Sequence, residues 1–139
     1  MAEAYQAFVW AVSTMQADSA LMAAATGGVF QDIAPLNTVP PFVIVGCQAG
    51  TDVLTGNVIR LWTKLIFQIK AMGPATNYGA LITIANRIDA LFGRVGPLSL
   101  SPGSVICCYR ETELAISELV NGQQWSHLGG LYTIHLQGS

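Results

Sequence analysis

Residues 58 to 71 read VIRLWTKLIFQIKA, and their alternation constrains the chain more than any other stretch. Leu61, Thr63, Leu65, Phe67, Ile69 and Ala71 take the odd positions, and Arg60, Trp62, Lys64, Ile66, Gln68 and Lys70 the even ones. Successive side chains of a strand point to opposite faces, so the pattern predicts a strand whose odd side is core. A helix would scatter the same residues around its circumference. Fourteen extended residues span about 45 Å at ~3.3 Å each, well beyond the usual strand of five or six, so this one is expected to project past its own domain and find a neighbour. Its even side carries three of the chain's six basic residues, Arg60, Lys64 and Lys70.

So long a strand needs a partner, and the composition points the same way. The 139 residues suit a single domain spanning 1–139 with one core. Charged residues make up 10% of the chain and apolar ones 52%, against roughly a quarter charged in an average soluble protein. That is too little charge to cover a monomer well, which leaves a membrane protein or a subunit that buries its outside against copies of itself. The longest apolar region, 4 to 25, is interrupted by Gln6, Ser13, Gln16, Asp18 and Ser19 and offers no spanning helix. Glu3 and the lack of Lys or Arg near the N-terminus argue against a secretory signal. The expectation is a soluble oligomer that is not in a membrane.

Around the long strand the other elements fall into order. Tyr5, Phe8, Val9, Val12 and Met15 recur at spacings of three and four and predict an amphipathic helix. Asp18 is placed to cap a second short helix with Leu21 and Met22, ended by Gly27 and Gly28. VFQDIAP reads as a brief edge strand. Pro40 and Pro41 then launch FVIVGCQAG, an apolar run suited to a strand covered on both faces. TDVLTGN has turn chemistry and joins it to the long strand as an antiparallel pair, with Gly73 and Pro74 ending that strand. Thr76 or Asn77 caps a helix with Tyr78, Leu81, Ile82, Ala85, Ile88 and Phe92 on one stripe, stopped by Gly93. In the last third, 110–120 fits a helix about as well as strand. The Asn121-Gly122 turn signal and the alternation of LYTIHLQ favour a hairpin.

Chemistry is hard to find. His127 and His135 have no partner at a recognisable spacing, no nucleophile elbow or zinc-protease motif is present, and the glycines form no phosphate loop or dinucleotide fingerprint. Neither catalytic residue, nor metal site, nor cofactor is expected. Cys47, Cys107 and Cys108 lack metal-ligand spacing and read as small apolar residues in a reducing compartment. A net charge of −2 gives no general footprint for tight nucleic-acid binding. Glu111 and Glu113 share a strand face near Arg110 and Glu118, which reads as a solvated or interfacial face.

The order of parts resembles one family. An amphipathic N-terminal helix is followed by GGVFQDIAP, PPFVIV, the alternating RLWTKLIFQIKA, IANRIDALF, and a C-terminal YRETE to WSHLGGLYTIHL. Together these are similar to the small tail-completion, or tail-terminator, proteins of long-tailed bacteriophages. The resemblance covers nearly the whole chain and rests on patterned stretches. It implies an α+β fold, a mainly antiparallel sheet with two or three helices packed on one face. It also implies a ring, generally a hexamer, that caps the tail tube, stops its polymerisation and joins it to the head. The implied partners are further copies of the chain, the tail tube protein, the head-tail connector and DNA passing through the lumen without specific binding. The implied location is the head-proximal end of the virion tail, assembled in the host bacterial cytoplasm. A head-completion, connector or tail-tube subunit is the alternative, and a small enzyme or ligand-binding domain a more distant one. Candidate interface or lumen residues are Arg60, Lys64, Lys70, Glu111, Glu113 and Glu118. For the three cations a solvated face, pairing with the acids of the next subunit, and DNA contact in a lumen all remain open.

Overall fold

The computed structural model describes residues 2–138. Helices α1 (Ala2–Gln16) and α2 (Ser19–Ala24) precede strands β1 (Val29–Gln31), β2 (Phe42–Leu54) and β3 (Arg60–Pro74). A single 3₁₀ turn, Ala75–Asn77, leads into α3 (Tyr78–Phe92). Strands β4 (Arg94–Val95), β5 (Leu98–Ser99), β6 (Ser104–Val120) and β7 (Gln123–Gln137) complete the chain. The strands form one sheet in the order β1-β2-β3-β7-β6-β4, with β5 also on β6. Every pairing is antiparallel except β1 on β2. The architecture is α+β, as the family resemblance implies.

Strand β3 follows the alternation of its sequence. Thr63, Leu65, Phe67, Ile69 and Ala71 are buried, while Trp62, Lys64, Ile66, Gln68 and Lys70 are half-buried. The strand ends at Gly73 and Pro74 as expected, these two forming the last pairs of the ladder opposite Ser126 and Trp125 of β7. Phe67 sits edge-on to Phe8 of α1 with ring centroids 4.8 Å apart. Trp10 packs edge-on against Phe92 of α3 at 5.3 Å, and Phe92 against Tyr132 of β7 at 6.2 Å. Met15, Leu21, Leu81, Ile84, Ile88 and Ile134 complete the same apolar cluster.

Two helix faces are rotated from their predicted stripes. On α1 the buried side is Ala4, Ala7, Phe8, Ala11 and Met15, while Tyr5 and Val9 are exposed. Alanines let the helix axis approach the sheet closely, and the larger residues spaced like a stripe turn outward. On α3 the buried residues are Leu81, Ile84, Ile88 and Phe92, and Tyr78 and Ile82 are exposed. Asp18 and Asn77 occupy N-cap positions but make no side-chain cap bond. Asp18 instead accepts a hydrogen bond from Arg87 Nε of α3 at 2.8 Å, tying α2 to α3. The 110–120 stretch is strand, part of a 17-residue β6. Asn121 and Gly122, at φ 50° and 78°, make the tight turn into β7 that their sequence announces.

The sheet's two borders are only partly closed. β1 covers β2 along Val43–Val45, which leaves 46–54 without a strand on its outer side among the described residues. β4 and β5 cover β6 at Ser104–Val105 and Cys108–Tyr109, and Gly93 accepts from the Arg110 amide, leaving 111–120 open. The open stretch of β2 lies beside the first half of β3. That of β6 lies across β7 from the second half of β3. The two open edges therefore sit at diagonally opposite corners.

Candidate functional site

Lys64 and Lys70 of β3 lie on the side opposite Phe67 and Ile69, whereas Arg60 turns to the side of α1, so the three cations expected on one face are divided between two. Arg60, at the β2–β3 end, meets Glu3 of α1 at 3.0 Å and faces Asp52 of β2 at 4.0 Å. Thr63 donates from Oγ1 to the same Asp52 at 3.1 Å. These groups line a cleft of about 370 Å³ together with Cys47, Ala49 and Gly50. Burial pushes the Cys47 thiol pKa up, against a backbone hydrogen bond to Ala49 that lowers it.

Lys64 lies between Thr51 of β2 and His135 of β7. The Trp62 indole donates to His135 Nδ1 at 3.1 Å, and the Tyr109 ring stacks on His135 with centroids 6.0 Å apart. An indole N–H can only donate, so Nδ1 is the acceptor and the neutral ring carries its proton on Nε2. Burial, with Lys64 adding to it, lowers the His135 pKa. None of this cluster follows from sequence spacing, because Trp62, Tyr109 and His135 come from three strands.

Lys70 lies between Ile44 and Gly129. Burial lowers its pKa, and the negative charge of Glu118 opposes that shift. Glu118 is hydrogen-bonded to His127 Nε2 at 2.7 Å. His127 is buried, and its Nδ1 has no hydrogen-bond partner among the described residues. Beside this group Trp125 packs on Phe42 at 6.2 Å, and Phe42 on Phe30 at 6.4 Å. Among the acids, Glu118 is thus beside Lys70 of its own chain. Glu111 accepts from the buried Thr133 hydroxyl at 3.5 Å, and Glu113 is exposed on the rim of a cleft shared with Tyr78 and Ile82. Arg110 turns to α3, where Asp89 lies 3.5 Å away.

Several of the exposed apolar residues stand near the open sheet edges or on the loop before β2, while Tyr5, Val9, Tyr78, Ile82 and Leu98 are exposed elsewhere. Leu54, Val58, Ile59 and Leu61 crown the β2–β3 turn, and Ile33, Leu36 and Val39 stand on the loop before β2. Ile116, Leu119 and Val120 stand at the β6–β7 end. Leu36 is 93% exposed and Ile33 81%. The sequence carried this signal in TDVLTGNVI, where turn residues are flanked by apolar ones. Among the described residues no hydroxyl or thiol is hydrogen-bonded to His127 or Glu118. No helix among the described residues is long and apolar enough to cross a membrane.

No protein-family model matches the chain, and no curated protein matches its sequence. Among solved structures, the fold is similar to a chain in the virion of a native gene transfer agent (GTA) particle. The TM-score is 0.65 with 16% sequence identity, and the match covers 92% of each chain.

Proposed function

We propose that this chain is a structural virion protein, a ring-forming tail terminator that caps the tail tube, stops its growth and presents a joining surface to the head. The observation that carries the reading is the likeness of nearly the whole fold to a chain of a gene transfer agent virion. The rest of the molecule fits a subunit: two open sheet edges, apolar residues exposed beside both, and 10% charged residues. In this reading the three helices lie on one side of the sheet, and the side bearing Lys64 and Lys70 faces a lumen through which DNA slides. The electrostatics suit sliding. Arg60 is paired with Glu3, and Lys70 lies near Glu118, which leaves Lys64 as the one β3 cation without an acid beside it among the described residues. Tight retention would need several neutralised phosphates per subunit.

Capping is geometric: one ring face docks the last tube ring, and the other does not repeat the tube's docking surface, so addition stops. A particle stock lacking this protein, complemented or not, tests the role by electron microscopy of tail length. Overlong or headless tails that complementation restores are the expected result. Tails of normal length joined to heads would refute it, and long tubes formed by the purified chain alone would reassign it as a tube subunit.

A further inference from the structure

We propose that the outer edge of β6, residues 111–120, hydrogen-bonds to the outer edge of β2, residues 46–54, in the next copy of this chain, so that successive sheets join strand to strand. An open edge presents a row of unpaired N–H and C=O groups, and natural proteins blunt such edges with lysine, proline or a covering element. Neither stretch contains Lys, Arg or Pro, and the covering strands β1, β4 and β5 stop short of both. Direction is right as well. β2 runs antiparallel to β3, β3 to β7 and β7 to β6, so β6 runs opposite to β2, and a β6-to-β2 joint continues the alternation of the sheet.

Three further features choose unlike edges of two copies. Joining like edges would make a two-fold pair and leave the other edge open, whereas joining unlike edges uses both and repeats around a ring. Exposed apolar residues flank each edge, Ile116, Leu119 and Val120 on one and Leu54 on the other. The single acid of the β2 stretch, Asp52, already faces Arg60, so Glu111, Glu113 and Glu118 are not brought against a bare carboxylate. Since the open edges occupy diagonal corners, joining them staggers one sheet along the strand direction relative to the next. Closed sheets require such a stagger. The inference specifies the subunit joint of the ring proposed above and rests on that reading for closure.

Lysine pairs test it at exposed positions, Ala49→Lys with Thr51→Lys on β2 and Ser117→Lys with Leu119→Lys on β6. Light scattering after size exclusion should give a closed ring for the native chain and monomers for each variant. An equimolar mixture should give a heterodimer and nothing larger, because each variant keeps one good edge. Rings that persist in either variant, or homodimers of either, overturn the edge pairing and leave the ring reading standing. Native filaments that both variants abolish support the edges and overturn capping. A native chain monomeric at every concentration overturns both. A second measurement leaves the edges undisturbed: Thr51→Cys is combined in turn with Thr112→Cys, Leu114→Cys, Ile116→Cys or Glu118→Cys, which share its side of the sheet. Oxidation should yield a ladder of linked multimers for at least one pair, and its absence for all four counts against the joint.

Discussion

At Gly129 of β7 an added side chain would run into the backbone of β3, and Gly129→Ala should be among the most damaging substitutions in the chain. A methyl at this position would run into the Ile69 carbonyl oxygen and come within 2.6 Å of Lys70 Cα and 2.9 Å of the Ile69 carbonyl carbon. All three are backbone atoms of the facing strand, so no rotamer change relieves them. The strands must separate locally, which weakens about two ladder hydrogen bonds at about 1 kcal/mol each. Overpacking strain adds about 1–3 kcal/mol, for a total of about 3–5 kcal/mol. In urea, with a slope near 2 kcal/mol/M, the midpoint should fall by about 1.5–2.5 M. Fluorescence of Trp10, Trp62 and Trp125 supplies the signal, at one fixed protein concentration because self-association would add to the apparent stability. Gly79, in the first turn of α3, is the control, since an added methyl there would meet nothing within 4 Å. Gly79→Ala should stabilise by about 0.5–1 kcal/mol through helix propensity. A Gly129→Ala midpoint within error of native would refute the steric reasoning.

Phe67, fully buried and edge-on to Phe8, should cost about 3–5 kcal/mol as Phe67→Ala, read by the same urea titration; a loss below about 1 kcal/mol would mean the helix-sheet contact is not formed in solution. The lowered His135 pKa means that the unfolded chain binds the proton more readily. Its contribution to stability is therefore present above pH 6.5, the unfolded value, and lost as pH falls through the lower folded value. His135→Gln should flatten the thermal midpoint between pH 6.5 and 5, and an unchanged slope would count against burial of His135 beside Lys64 as its source. Cys108 donates to the Phe92 carbonyl at 3.2 Å, and burial pushes its pKa up to about 12. At pH 8 a thiol reagent should modify at most two of the three cysteines, with mass spectrometry finding Cys108 untouched until denaturant is added.

Local chemistry was legible in the sequence, and long-range chemistry was not. The alternation of β3 was readable because strand geometry imposes period two on any strand with one dry side. Asn121-Gly122 was readable because few other dipeptides hold two positive φ angles. The face of α1 was misjudged for a physical reason: helix-sheet contact rewards closeness, so Ala4, Ala7 and Ala11 were buried in preference to Tyr5 and Val9. Asp18 had the sequence position of a cap but found Arg87, 69 residues away. The grouping of Arg60, Lys64 and Lys70 as one surface was similarly incomplete, since Glu3 and Glu118 reach them only through the folded sheet. The open edges were least visible of all, because an unpaired backbone leaves no mark on residue type beyond the missing lysines and prolines.

The sheet order also dictates a sequence of events in time. The hairpins β2–β3 and β6–β7 each join neighbours in the chain, and units of this kind form in about 1–10 μs. The β3–β7 seam instead waits on closure of everything between Pro74 and Gln123, α3 included, and such non-local pairing belongs to the millisecond-to-second range. Until that seam closes, each hairpin exposes inner edges as well as the outer ones kept in the finished sheet. Pulsed hydrogen exchange during refolding should protect amides within the two hairpins before those between β3 and β7; simultaneous protection would contradict this order. A newly made chain thus has a brief period with four adhesive borders, and its yield should fall with concentration during folding.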